Sequence, residues 1–433
     1  MSEPDASIIS GRTCPLWFSV PLIGVVIVRV AGAVWAALSH TRGDYYASLP
    51  GAYVRTVNPV LWDSADLQGA WGYHLETYFH GPVQYLTLYP VAWLDSYAQI
   101  AMVLLPVYAG VLGAAFWCMR QTAVRLAPGV PLTVPLLGST FLFFPLLQAY
   151  IQREFEVVIT FVLAWALWLL IRDKRNAAAV LLAYAAWYKY IPLIFAGYLG
   201  LRRWVAALGV FALTSIVILG LAHAVFDLSL FFNNNVPAHA AQVLAVWEFG
   251  FRTDASGHLI GTGFCAGWFD NETTLANVRH GLCTVSARAR WFPATAAYVV
   301  LCTGIAVVYL RTHWRLEQRR LGEQTEAWRR AFEVSMVTTV CACFFFSHYY
   351  YLIVLVIPFN VLLARYLSQG RYGMLGLWGL SYGLISAFVI PMGILSRLAG
   401  ADMWEPYIWG AWFLYGELLL VGLLLNEYRS LAR

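Results

Sequence analysis

The stretch GPVQYLTLYPVAWL, Gly81 to Leu94, decides how the rest of the chain is threaded. It is apolar, aromatic and uncharged, and at first sight it reads as a membrane span. It is too short for one, because a helix needs about 20 residues to cross a hydrocarbon core. Counting it as a span would also invert every later loop and turn the basic clusters outward, against the positive-inside rule. It therefore reads as an interfacial or re-entrant helix, and the topology follows from that reading.

Composition sets the class. The 433 residues are 60% hydrophobic and 16% aromatic, with only 12% charged; a soluble domain carries about twice that charge. Apolar runs of spanning length recur along the chain, as in a polytopic membrane protein. The first run, from about Leu16 to Leu38, is too long for a signal-peptide core and has no clear small-residue cleavage site before Asp44, so it reads as a retained span. Segments are predicted near 16–38, 96–118, 131–149, 155–171, 176–188, 190–201, 204–225, 293–311, 331–347, 349–366, 373–392 and 407–427. The expected fold is all-α: one integral-membrane domain over 1–433, with about twelve membrane segments, some too short to cross alone. No internal repeat is visible, which counts against the inverted-repeat transporter folds.

The charges orient this map. Eighteen of the 28 Lys and Arg fall in segments placed inside, among them Arg120, Arg125, Arg172, Lys174, Arg175, Arg202, Arg203, Arg329, Arg330, Arg365 and Arg371. Nine fall outside, although the outer loops are much longer, and Arg29 lies within the first span. Both termini are thus expected in the cytoplasm. The net charge of +5 carries no message about nucleic acid, because the basic residues sit between spans.

Two outer loops are long, about 39–95 and about 226–292, and their Trp, Tyr, Phe and His content argues against disorder. Four places near the outer face carry groups able to do chemistry. Asp44, a few residues past the first span, is either a general base for an acceptor hydroxyl or a solvated loop residue; Asp63, Asp66 and Glu76 compete with it. In YIQREFEVV (Tyr150 to Val158), Gln152, Arg153, Glu154 and Glu156 mark a turn between segments. Arg153 offers a planar fork of donors to an anion, or simply pairs with a carboxylate at a polar hairpin tip. In AWYKYIPL (Ala186 to Leu193), Lys189 precedes the helix-breaking Pro192; it suits a phosphate, or snorkels to the interface. In FFFSHYYYLIVLVIPF (Phe344 to Phe359), His348 is a phosphate or proton ligand, or a member of an aromatic belt. The charge-derived topology puts all four at similar depth on one side.

Other chemistries lack their signatures. There is no P-loop, no GxGxxG after a strand, no HExxH and no CxxC, so ATP-driven transport and zinc chemistry lose support. Of the seven cysteines, Cys265 and Cys283 share the second outer loop and are either a disulfide or two thiols.

At these residues the chain resembles the polyprenyl-phosphate-sugar-dependent glycosyltransferases of the GT-C superfamily. Within it the chain is similar to glycosyltransferase family 87, the group of mycobacterial-type phosphatidylinositol-mannoside mannosyltransferases and related arabinofuranosyltransferases. GDYYASLPGA matches the family's Asp-Tyr segment after span one, with Asp44 on the catalytic aspartate. FHGPVQYLTLYPVAWL matches a later aromatic and proline segment of the same loop. The family's glutamine motif keeps Gln152, while Ile151 and Glu154 stand where it has Gly and Asn. Lys189, Pro192 and LRRW (Leu201 to Trp204) match a K-x-x-P ahead of a basic turn; Ser347, His348 and Pro358 match an S-H pair ahead of an aromatic run.

The resemblance implies a GT-C helical bundle in a bacterial plasma membrane, with the active site on the periplasmic face. It implies transfer of one sugar, mannose or arabinofuranose, from a polyprenyl-phosphate donor to a lipid or glycan hydroxyl. Asp44 is then the catalytic base, Lys189, His348 and Arg153 bind the donor phosphate, and Gln152, Tyr45, Tyr349 and His80 contact substrate. Neither a metal nor a cofactor is expected, and no nucleic acid. The alternative from another class is a transporter or flippase of a lipid-linked substrate. It would show functional charges deeper in the spans, which read here as nearly free of charge apart from Arg29.

Overall fold

The structure, a computed structural model, describes residues 16–39, 82–88, 97–152, 155–188, 192–225, 249–253, 259–263, 277–289, 291–345, 349–386 and 410–433, with a few isolated positions between them. In chain order these form α1 (Leu16–Ser39), α2 (Pro82–Leu88), α3 (Tyr97–Leu126), α4 (Thr133–Phe141), α5 (Phe144–Gln152), α6 (Glu156–Ile171), α7 (Arg175–Ala186), α8 (Pro192–Leu201) and α9 (Val205–Val225). There follow β1 (Phe249–Thr253), β2 (Leu259–Gly263), α10 (Val278–Arg288), α11 (Ala294–Glu317) and α12 (Glu323–Val340). A π-helical turn (Cys341–Phe345) and a 3-10 helix (Tyr349–Leu355) lead into α13 (Val356–Ser368), α14 (Tyr372–Ile385) and α15 (Trp412–Ser430). The bundle is helical as expected, and among the described residues β1 and β2 add one antiparallel hairpin between α9 and α10.

Among the described residues, five helices are long and apolar enough to cross a membrane, or six if the bent pair α4 and α5 counts as one span. Among the described residues, the other predicted segments hold helices that are shorter or less apolar than a crossing helix needs. Gly81–Leu94 does contain a helix, the seven-residue α2, which packs on α7 and α9 rather than crossing.

Burial sorts the helices in a way that hydropathy does not. The segment Tyr351–Ser368 is 83% buried, whereas the crossing helix α11 is 11% buried and α1 17%. The returning pair of α12 and α13 therefore fills the middle, and α1, α9 and α11 face outward. Along α12 every residue from Ala327 to Thr339 is buried, including Glu333, Ser335, Thr338 and Thr339. A helix surrounded by protein can hold polar groups that lipid would not tolerate.

The span predicted at 131–149 is broken. α4 and α5 meet at 56° around Leu142 and Phe143, just before Pro145. The backbone groups freed there find side chains from distant helices, as a low-dielectric setting requires. Ser386 Oγ accepts from the Phe144 amide at 3.0 Å, and the Tyr382 hydroxyl donates to the Ser139 carbonyl at 2.9 Å. Asn360 on α13 donates to Thr140 Oγ1 at 2.9 Å and to the Met119 sulfur at 3.2 Å, and accepts from Ser139 Oγ. Arg29 of α1 lies within electrostatic reach of the same Tyr382.

One end of the bundle gathers the basic segments. Three turns there close in the same way: Lys174, Trp204 and Arg371 donate their amides to the carbonyls of Leu169, Leu199 and Tyr366. This six-to-one closure needs a left-handed residue, supplied by Asp173, Arg203 and Gly370 at φ of 60°, 52° and 64°. Glu333, with no exposed surface, accepts from Arg329 Nε at 3.0 Å and from the Tyr428 hydroxyl at 2.8 Å. His313 Nδ1 stands 3.2 Å from the same carboxylate, and Arg202 Nε 3.5 Å from its other oxygen. Arg330 reaches the Leu170 carbonyl at 2.8 Å and Asp173 at 2.7 Å. Partial burial would raise the Asp173 carboxyl, but hydrogen bonds from Arg175 and Arg330 and their charges hold it below its usual range. Arg175, Arg202 and Arg330 all stand within about 5.5 Å of the Trp204 ring, a favourable face for guanidinium groups. Arg125 with Glu323, and Arg371 and Arg365 with Glu427, extend the network.

The segments predicted to lie inside are thus brought to a common end. The spans are less free of charge than the sequence reading has it, since Glu333 and Glu417 are both fully buried within predicted spans. Arg202 and Arg329 also share Glu317 and Glu326, so removing Glu333 takes away their one fully buried carboxylate and the partner of Tyr428 while leaving both charges paired. Glu333→Ala should cost about 1–3 kcal/mol of stability, read as a fall in the thermal midpoint of the detergent-solubilised protein.

Candidate active site

The opposite end of the bundle is where helical geometry is interrupted. α6 begins at Glu156 just after α5 ends at Gln152; α7 stops at Ala186 and α8 starts at Pro192, a residue suited to the first helical position. α12 passes into the π turn and then into the 3-10 helix. Such departures from α geometry are frequent at functional sites. α5 and α6 both pack on the 3-10 helix, so these interruptions are neighbours in space.

Tyr184 of α7 and Tyr188, two residues past the end of that helix, tie this end together. Tyr188 is buried, its hydroxyl donates to the carboxylate of Glu156, and its ring lies 5.3 Å from that of Phe155. Tyr184 meets Thr87 of α2 at 2.5 Å. Thr87 gives its own proton to the Val83 carbonyl at 2.8 Å, so Tyr184 is the donor. α2 is thereby fastened to α7. A third tie comes from α11, where the Tyr298 hydroxyl donates to the Phe344 carbonyl at 3.1 Å in the π turn.

The segment before α11 docks at the same end, where α10 packs on the π turn. Asn277 caps α10 by accepting from the His280 amide at 2.6 Å. Gly281 lets α10 close on α15, since a Cβ there would meet the Leu414 side chain at 2.7 Å. Cys265 and Cys283 form a disulfide that joins the hairpin to α10. Burial lowers the Arg279 guanidinium below its ordinary value, with Tyr298 acting the other way.

Asp44, Tyr45, His80, Arg153, Lys189 and His348 lie outside the described residues. Gln152 and Tyr349 are described through their backbone, as the last residue of α5 and the first of the 3-10 helix. The structure brings together the described residues that flank three of the four predicted places: Phe155 and Glu156, Tyr188, and the turns around 345 and 349. Asp63 and Asp66 are also outside the described residues, and among the described ones no three His, Cys, Asp or Glu side chains group as a metal site.

Two residues of this end were passed over in the sequence reading. Glu156 was noticed as part of a polar turn but given no role, although a carboxylate opening the otherwise apolar run VVITFVLAWALWLLI was a signal. Arg279 had no signal to separate it from other loop arginines.

Two measurements follow. Cysteines placed at Gln152 and Tyr349 should be joined by a short bismaleimide, because α5 and the 3-10 helix run side by side there. Serine at Cys265 or Cys283 should cost about 3 kcal/mol, read as a lower thermal midpoint that reducing agent reproduces in the wild type.

The model of glycosyltransferase family 87 matches residues 78–341. That span runs from just before α2 into the π turn; it contains His80, Gln152, Arg153 and Lys189, and leaves Asp44, Tyr45, His348 and Tyr349 beyond its ends. No curated protein and no solved structure matches the chain. A bundle of apolar crossing helices, with interrupted helices and docked loops at the end opposite its basic turns, fits an enzyme that works at a membrane surface, and the chain belongs to glycosyltransferase family 87 as a membrane glycosyltransferase.

Proposed function

We propose that the enzyme moves one sugar, mannose or arabinofuranose, from a polyprenyl-phosphate donor to a lipid or glycan hydroxyl on the outer face of a bacterial plasma membrane, with both termini in the cytoplasm. The observation that carries the reading is the family match over 78–341. The packing of α2, α5, α6, α7 and the 3-10 helix at the end away from the basic turns supports it, because a lipid-linked donor presents its sugar at head-group depth.

In this mechanism Asp44 takes the proton of the acceptor hydroxyl. The oxygen forms its bond to the anomeric carbon as the bond from that carbon to the phosphate oxygen breaks, through an oxocarbenium-like state with inversion. The phosphate leaves with the electron pair. Lys189, His348 and Arg153 stabilise its charge, and in a poorly hydrated pocket such contacts are strong. Gln152, Tyr45, Tyr349 and His80 line the substrates. A phosphate leaving group needs no acid partner, and the step as written uses no metal.

Asp44→Asn keeps the shape and removes the base. Turnover should fall about 10²–10⁴-fold while the lipid donor still binds, and Asp63→Asn serves as the control carboxylate. Wild-type turnover by Asp44→Asn together with an inactive Asp63→Asn moves the base to Asp63; full activity in both removes the mechanism. Lys189→Ala and His348→Ala should each lose about 2–4 kcal/mol of transition-state stabilisation, measured as kcat/KM with the folded state checked by thermal unfolding.

A further inference from the structure

We propose that the outward face of α6, with the adjoining part of α3, binds an anionic phospholipid at the end of the bundle that gathers the basic turns. The proposal does not depend on the donor chemistry above. Most residues of α6 are buried. Its outward positions include Phe161, Trp165 and Trp168, and Arg172 follows directly on the helix. These recur at intervals of four, three and four residues, which is one face of an α-helix. Three aromatic rings thus stand in line with a cation over about 16 Å. The Phe161 and Trp165 rings stack with centres 5.4 Å apart, and the Arg172 guanidinium lies 4.7 Å from the centre of the Trp168 ring. α3 packs beside α6 and runs the same way, since both end against the first half of α12, through Arg125 with Glu323 and Asp173 with Arg330. Trp117 of α3 meets Trp168 with ring centres 5.3 Å apart. Arg120 follows Trp117 by one turn, as Arg172 follows Trp168, so two guanidinium groups come at similar depth beyond the ring pair.

Charge identifies the ligand's head. At this end Arg125, Arg175, Arg330 and Arg371 each meet a carboxylate. Among the described residues Arg120 and Arg172 meet none: Arg120 Nε donates to Thr133 Oγ1 at 3.0 Å, and Arg172 lies over its tryptophan. Asp173, next to Arg172 in the chain, is already taken by Arg175 and Arg330. Two guanidinium groups held in place without a counter-charge at a membrane surface attract an anionic head-group, and their remaining N–H groups suit phosphate oxygens. The rings identify its tail. Tryptophan at head-group depth is an ordinary belt. Trp165, however, is 37% exposed seven residues before Arg172, about 10 Å deeper, and Trp117 is 48% exposed. An aromatic column at that depth gives an acyl chain a surface to lie on while the phosphate reaches both cations. A soluble phosphate would use the cations and none of the rings.

The test uses the full-length protein in a neutral detergent and phosphatidylglycerol as the probe, with bound lipid counted by native mass spectrometry. One phosphatidylglycerol should bind about 10-fold more tightly than phosphatidylcholine, and added salt should narrow the difference. Arg120→Gln and Arg172→Gln should each weaken that lipid about 5-fold, and the double variant about 20-fold, with the thermal midpoint near wild type. Trp165→Ala should weaken it about 3-fold or more and keep the preference for phosphatidylglycerol, because it removes a tail contact and no charge. Arg311→Gln, at an exposed cation of α11, should bind as wild type does. Wild-type affinity in the double variant overturns the proposal. Equal binding of the two lipids by the wild type also overturns it, since the rings would then be a belt and nothing more. Displacement of phosphatidylglycerol by glycerol 1-phosphate at equal concentration makes the site one for a soluble phosphate and overturns it too. Should the double variant lose its thermal midpoint, the two single variants decide, and wild-type affinity in both overturns the proposal.

Discussion

A carboxylate that sees no solvent, Glu333, is held where α8, α11, α12 and α15 meet. Its attraction for Arg329 and Arg202 offsets part of the cost of removing three charges from water, with Arg329, Tyr428 and His313 gathered on one carboxylate oxygen and Arg202 standing 3.5 Å from the other. Once α12 is held in this way its polar residues must face protein. The hairpin it forms with α13 then has to occupy the middle of the bundle, and the most apolar helices are left to meet lipid. The interrupted helices at the far end are possible because this end is closed by charge, hydrogen bonds and the three tight turns.

Much of this architecture was legible in the sequence because lipid imposes a simple rule on length. The segment predicted at 155–171 is α6, Glu156–Ile171, and the short segments at 176–188 and 190–201 are α7 and α8 within a few residues. Reading Gly81–Leu94 as non-spanning also agrees with α2. What escaped was set by partners far along the chain. The run through 131–149 stays apolar across its break, and the groups that stabilise the bend, Asn360, Tyr382 and Ser386, lie more than 200 positions away. α12 begins eight residues before the predicted span because Glu326 and Arg330 fold in against Arg202 and Asp173, which a hydropathy pattern counts as solvent.

The candidate site was legible in a different sense. Breaks and charges in the sequence marked stretches whose described neighbours meet at one end of the bundle, since Pro192 and the polar turn at 152–156 are local signals. The ties between those stretches were not, because a tyrosine in an alanine-rich helix carries no mark of whether its hydroxyl meets Glu156, Thr87 or water. The family match adds the class of reaction and stops short of Asp44 and His348, so the two ends of the mechanism rest on the short motifs around those residues and on their chemistry.

The central position of the α12 and α13 hairpin has a consequence for the order in which the protein is made. Helices enter a membrane one after another and associate afterwards. α3, α6, α7 and α9 can begin to pair as soon as each is inserted, since α3 packs on α6, α6 on α7, and α7 on α9. Ser139 and Thr140 must wait for Asn360, and the Leu170 carbonyl for Arg330, which leave the ribosome 221, 220 and 160 residues later. During that interval the early helices form an open wall whose inner face is unfilled. The bundle closes late, in one step, around a hairpin from the last third of the chain, and a nascent chain halted before residue 323 holds the walls of the enzyme without its core.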